Sequence, residues 1–165
     1  MQIGEGFAGT GVNAAHVNTV LGPKEGPVGH AWTTALATPR LGHAPFVVVV
    51  KPNVPVKPFT LFVNKSALAS KEHAELTWGA AQAGVAAGVL DAVAGGVIAQ
   101  EIADQAVVIA AVWVDPGATP IHQDAIFINN RVATMTALTA GASGRPTAYE
   151  VLEDDGGFWN PFFEP

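Results

Sequence analysis

Residues 51–98 read KPNVPVKPFTLFVNKSALASKEHAELTWGAAQAGVAAGVLDAVAGGVI, and this stretch decides the fold. It opens on Pro52, Pro55 and Pro58. Proline fixes φ and lacks a backbone donor, so a stiff extended connector is predicted here. Phe59–Asn64 follows as a short strand ending in Lys65. Ser70 suits the N-cap of a helix over 71–77. A break is predicted at Trp78-Gly79, then a second helix over 80–94 that Gly95-Gly96 stops. Gly84, Gly88 and Gly95 fall on or near one face of that second helix. A helical glycine costs about 1 kcal/mol against alanine. The face is therefore expected to approach something closely: a sheet, another subunit or a ligand.

Upstream, residues 4–11 are glycine-rich and read as a loop or edge hairpin. Residues 14–21 read as a strand, with His16 and Asn18 on one face and Ala15, Val17 and Thr19 on the other. Gly22-Pro23 and Gly26-Pro27 mark turns. A helix over 29–38 follows, anchored by Trp32 and ended by Pro39. The β-branched run 46–50 reads as a buried central strand. Downstream, 106–114 is a second buried strand, and Asp115-Pro116-Gly117 is a turn. Pro120 heads a helix over 121–140, closed by Gly141 and Gly144. Ile121, Ala125, Ile128, Val132 and Met135 recur along that helix at three or four residues and form its expected apolar stripe. The pattern gives an α/β (α+β) fold with helices on one mixed sheet. A single domain over 1–150 is expected, followed by an acidic and aromatic tail over 151–165. That tail carries Phe158, Trp159, Phe162 and Phe163 and either packs on the surface, covers a neighbouring subunit or folds over the site.

The chain has 165 residues, 49% of them apolar and only 13% charged. So sparse a surface charge points to a protein that buries surface in a homo-oligomer. Its net charge is −6, and its eight basic residues are scattered singly, so nucleic acid is not expected as a partner. There is no cysteine, which removes disulfides, thiolate catalysis and cysteine metal sites. The first residues lack the basic and apolar regions of a signal peptide, and no stretch reads as a membrane span. A cytoplasmic protein without membrane partners is the expectation.

Histidine titrates near neutral pH, so the five histidines come first among candidate catalytic groups. Their spacing matches no common metal motif, and no metal site is expected. His73 and His122 lie near helix starts and are predicted to be solvated. His30 and His43 sit in turn-rich segments. His16 stands inside a strand beside Asn18, either as a hydrogen-bonded structural residue or as a general acid or base. Lys65, at a strand end, suits an anion or a carbonyl. Gln82, near a helix start, suits a ligand approaching free N–H groups.

The order of these features resembles the formaldehyde-activating enzyme family, the tetrahydromethanopterin hydro-lyases. The likeness rests on AHVN at 15–18, LGP at 21–23, PNVPVKPFTLFVNK at 52–65, GAAQAGVAAGVLDAV at 79–93 and GGVI at 95–98. It is collinear from His16 to about Ile98, and the residues beyond Asp115 match poorly. It implies a two-layer sandwich resembling the second domain of ribosomal protein S5, with a left-handed βαβ crossover. It also implies a homopentamer with sites at subunit boundaries. The implied activity is that of a carbon–oxygen lyase in formaldehyde detoxification and one-carbon metabolism. Formaldehyde condenses with tetrahydromethanopterin, a reduced pterin co-substrate, to methylene-tetrahydromethanopterin and water, without a metal. By the same likeness His16 is the proton donor, and Val47, Lys65 and Gln82 contact substrate. The family's aspartate two residues after the histidine is Asn18 here, and its threonine two after the lysine is Ala67. These changes remove one charge and one hydroxyl from the implied substrate-binding set. Two alternatives stand beside this reading: the same scaffold acting on another amine and carbonyl pair, or a non-catalytic formaldehyde- or pterin-binding protein.

Overall fold

A computed structural model describes residues 1–160 of the chain. It is a mixed α/β structure built on a five-stranded sheet of order β1-β2-β7-β6-β3. The strands are β1 (Gln2–Ala8), β2 (Ala15–Pro23), β3 (Phe46–Val47), β6 (Phe59–Asn64) and β7 (Ala106–Trp113). Neighbours are antiparallel except β6 and β7, which run parallel. A parallel pair needs a crossover, and α2 (Lys71–Leu76) and α3 (Gln82–Ala94) supply it. The remaining helices are α1 (Pro27–Ala37), α4 (Gln123–Ser143) and α5 (Ala148–Glu153).

The glycine face of α3 meets a helix, a partner that the sequence reading did not name. A methyl group on Gly84 would lie 2.4 Å from the carbonyl oxygen of Phe127 in α4, and one on Gly88 2.6 Å from that of Arg131. Asp91 and Arg131 clamp the same contact with two charge-assisted hydrogen bonds, at 2.5 and 2.9 Å. On its other flank α4 lies against β1. A methyl on Gly4 would stand 1.7 Å from the Ala137 carbonyl oxygen, and one on Gly6 2.1 Å from that of Ala133. Residues 4–11 therefore run from the edge strand β1 into its turn towards β2, the edge hairpin of the two readings rather than the loop. The glycines of β1 alternate with Ile3, Glu5 and Phe7 because only a bare backbone fits beneath the helix.

This packing also inverts the expected face of α4. Ile121, in the turn before α4, and Ile128 and Val132 within it are 88%, 55% and 48% exposed, whereas Ile126, Ala133, Ala137 and Leu138 are buried; of the expected stripe, Met135 does pack against the core. Small side chains win the inner positions because the helix approaches backbone on two sides. Gly141 belongs to the same contact, inside the helix and 3.2 Å from the Ile3 backbone carbon by its would-be methyl. Gly144, in the left-handed conformation at φ 65°, ends the helix.

The segment 46–50 lies at the sheet edge, not its centre. It splits into β3 and β4 (Val49–Lys51), and β4 turns back on β5 (Val54–Pro55). The three prolines thus border a hairpin rather than a straight connector, and Asn53 takes the turn with φ 68°. Edge strands and hairpins are where proline is tolerated, since no ladder donor is lost. Phe46 stacks on Phe62 at 4.8 Å on the core side. Nor is there a break at Trp78-Gly79. A π-helical turn, Thr77–Ala81, carries α2 into α3. Ser70 caps the start of α2 as expected, accepting from the His73 N–H at 3.0 Å.

Gly6→Ala and Gly84→Ala should each destabilise the chain by about 1–3 kcal/mol or more through overpacking against carbonyl oxygens. Gly79→Ala, with open space at its would-be methyl, should be neutral or slightly stabilising. Chemical denaturation of the three variants checks this, and equal effects would remove the packing account.

Candidate active site

One face of the sheet carries α3 and α4, and the cross-strand register assigns the other face its residues. In successive rows it bears Phe7, His16 and Trp113, then Glu5, Asn18, Ala111 and Val63, then Ile3, Val20, Ile109, Leu61 and Val47. Helix α1 covers the far end of this face, where the side chain of Val28 fills the space above Gly22. The near end stays open and forms a cavity of about 660 Å³. It is lined by Glu5, Phe7, His16, Lys65, Trp113, Asp115 and Trp159, among others.

Within it, His16 Nε2 lies 3.0 Å from Glu5 Oε1. The ring of Phe7, directly across the strand pair, meets the imidazole edge-on at 6.4 Å. Lys65 donates from Nζ to the His16 carbonyl oxygen at 3.3 Å, and its own N–H is held by the Val112 carbonyl at 2.8 Å. Burial lowers the His16 pKa below its ordinary value, and the Lys65 charge adds to that effect. Glu5 opposes both by charge and by hydrogen bonding. Burial likewise lowers the Lys65 pKa, again against Glu5. One carboxylate therefore supports the protonated form of two neighbours. A histidine so placed can give up a proton to a leaving hydroxyl and take one back.

The other candidates are distributed unevenly. Asn18 sits one row along from His16 on the same face, between Glu5 and Ala111. Val47 shares the face but lies on β3, three strands from β2. That is roughly 14 Å at the usual strand spacing. Ala67 is exposed in the loop after β6, beside Gly42. Gln82 is buried in the helical layer, where its Oε1 accepts from the Val49 N–H at 2.6 Å. It does not stand at a free helix start, because the π-helical turn gives its N–H the carbonyls of Thr77 and Gly79. A single chain thus brings His16 and Lys65 into one cavity, and Val47, Ala67 and Gln82 do not line it.

Of the histidines, His16 alone lines this cavity. His73 is 1% exposed, not solvated. Its Nδ1 accepts from the Ala69 N–H and its Nε2 donates to the Val114 carbonyl, both at 3.1 Å. It thereby ties the start of α2 to the end of β7, next to the cavity wall. His122 caps its own helical turn through Thr119. His43 bonds the Asn64 carbonyl at 2.9 Å.

Four lining residues went unnoticed in the sequence: Glu5, Phe7, Trp113 and Asp115. The signal for Glu5 and Phe7 was the alternation IGEGF, which a glycine-rich reading obscures. Trp159 and Asn160 of the tail also line the cavity. Phe162 and Phe163 fall outside the described residues. Among the described residues no group of three or more His, Asp or Glu side chains is placed to hold a metal ion. No helix among them is long and apolar enough to cross a membrane.

Comparison with known proteins matches residues 3–163 to the model of the formaldehyde-activating enzyme family. A 5,6,7,8-tetrahydromethanopterin hydro-lyase of Methanosarcina barkeri is 39% identical over 98% of this chain and 89% of its own length. A bifunctional enzyme Fae/Hps of Archaeoglobus fulgidus is 38% identical over 98% of this chain, and one of Methanococcoides burtonii is 39% identical over 93%. The chain spans only 40% and 38% of those two longer proteins. The likeness extends well past Asp115, farther than the quoted motifs suggested. With a family match over nearly the whole chain and this identity to a full-length relative, the chain belongs to the formaldehyde-activating enzyme family.

Proposed function

We propose that this protein condenses formaldehyde with tetrahydromethanopterin, giving methylene-tetrahydromethanopterin and water, with His16 as the proton donor. The observation that carries the proposal is the placement of His16 in an open cavity, paired with Glu5 and adjoined by Lys65. The chemistry asks little more. An amine nitrogen of the pterin adds to formaldehyde, giving a carbinolamine. Protonation of its hydroxyl releases water and leaves an iminium ion, which the second amine closes into a ring. The reaction needs one proton donor and a fixed geometry, and the second amine returns the proton that was spent.

Val47, Lys65 and Gln82, with Asn18 and Ala67, form the proposed substrate-binding set. Val47, on β3, lies roughly 14 Å from β2 at the usual strand spacing, and Gln82 is buried in the helical layer, so neither shares the cavity of His16 within one chain. This supports a homo-oligomer in which a neighbouring subunit completes the site, a cytoplasmic homopentamer by the family likeness. Ile3 on the open sheet face, and Ile128 and Val132 on α4, offer exposed apolar surface for such contacts. The Asn18 and Ala67 departures favour a second reading, in which the scaffold takes a different amine partner.

His16→Ala should lose most of the acceleration over the spontaneous condensation, about 10²–10⁴-fold for a general acid, while the oligomer seen by light scattering persists. Full activity in that variant would remove the proton-donor assignment. Asn18→Asp with Ala67→Thr should lower KM for tetrahydromethanopterin if both positions touch it. An unchanged KM would place them outside the pterin site.

A further inference from the structure

Glu5 has no part in the functional set implied by the family likeness, yet it is the cavity residue with the most to do. It comes from β1, the strand pinned beneath α4 by Gly4 and Gly6. With the glycines facing the helix, the strand's alternation turns Glu5 to the open face. Register sets it directly across from Asn18, one row from His16. There its Oε1 reaches His16 Nε2 at 3.0 Å. No hydrogen bond engages Nδ1 of His16 among the described residues. The other charged groups lining the same cavity are Lys65, at the end of β6, and Asp115, after β7. Of these groups Lys65 reaches the His16 backbone, and only Glu5 pairs with the ring.

We propose that Glu5 is the positioning residue of the site: its carboxylate accepts the Nε2–H of His16, fixes the ring and leaves Nδ1 as the nitrogen that exchanges a proton with substrate. The inference rests on the reading of His16 as the acid. In the imidazolium form, Nε2–H stays on Glu5 and Nδ1–H protonates the carbinolamine oxygen. The C–O bond breaks, water departs, and the amine lone pair forms the C=N bond. The neutral ring keeps its proton on Nε2. When the second amine closes the ring, its N–H proton returns to Nδ1, and the cycle balances without another reactant. The same carboxylate offsets the burial and the Lys65 charge that work against the imidazolium. It supplies from the neighbouring strand a negative charge that Asn18 does not carry.

The test is an NMR titration of the His16 ring nitrogens in the wild-type protein, Glu5→Gln and Glu5→Asp, alongside rates corrected for the spontaneous reaction. In Glu5→Gln the His16 midpoint should move to lower pH. The corrected kcat/KM at neutral pH should fall about tenfold for each pH unit of displacement and recover as the pH is lowered. Glu5→Asp, which keeps the charge, should lie between the two. The wild-type neutral ring should carry its proton on Nε2. An unchanged midpoint in Glu5→Gln, or a wild-type proton on Nδ1, overturns the proposal. A displaced midpoint with rates unaltered at every pH supports the Glu5–His16 pairing and instead removes His16 as the acid.

Discussion

The structure depends on the close approach of α4 to backbone on two sides. Carbonyl oxygens of Phe127 and Arg131 press on Gly84 and Gly88 of α3, and those of Ala133 and Ala137 press on Gly4 and Gly6 of β1. A side chain at any of the four glycines would push the helix away from the sheet or from its neighbour. The glycines each carry a helix or strand propensity cost of about 0.5–1 kcal/mol, offset by dense contact between elements. The functional consequence lies on the far side of the sheet. Once Gly4 and Gly6 must face α4, Glu5 and Phe7 must face the cavity, and their row positions bring them to His16.

The cavity then sets one histidine between opposing influences. Burial and the Lys65 ammonium favour the neutral ring, and Glu5 favours the charged one. A lowered pKa makes the imidazolium a stronger acid but a scarcer one near neutrality. That balance fits the proposed role of His16 as the acid in a condensation that also proceeds unaided. His73 contributes at one remove. Buried and bonded through both ring nitrogens, it secures the end of β7, from which Trp113 and Asp115 line the cavity.

Much of this was legible in the sequence, for physical reasons that can be named. The strands over β2, β6 and β7 announced themselves by alternation or by apolar runs, and Ser70 and Gly95-Gly96 bounded the helical stretch. Two features misled and one stayed open. In β1, alternation with glycine left loop and edge hairpin as equal readings, because Gly4 and Gly6, the positions beneath α4, carry no side chain. In α4, Ile128 and Val132 of the expected stripe face outward, as does Ile121 in the turn before it, while the inner face mixes Ile126 and Leu138 with Asn130, Ala133, Thr134 and Ala137. The run 46–50 reads as central because it is apolar, but the hairpin that follows draws its second half out of the sheet. For the site, His16 and Lys65 stood out by position and family likeness. Glu5 did not, since nothing local in IGEGF says that a residue eleven positions on will lie on the neighbouring strand, one row away. His73 was misjudged because proximity to a helix start says nothing of what packs above it.

In the proposed mechanism the protonated form of His16 does the work. The most direct measurement is the pH dependence of kcat/KM for methylene-tetrahydromethanopterin formation by the unmodified protein, each rate set against the spontaneous rate at the same pH. The acceleration should climb as pH falls from mildly alkaline through neutral, and level below a midpoint lower than that of an ordinary imidazole. An acceleration that stays flat across that range, or that rises with pH, would contradict it.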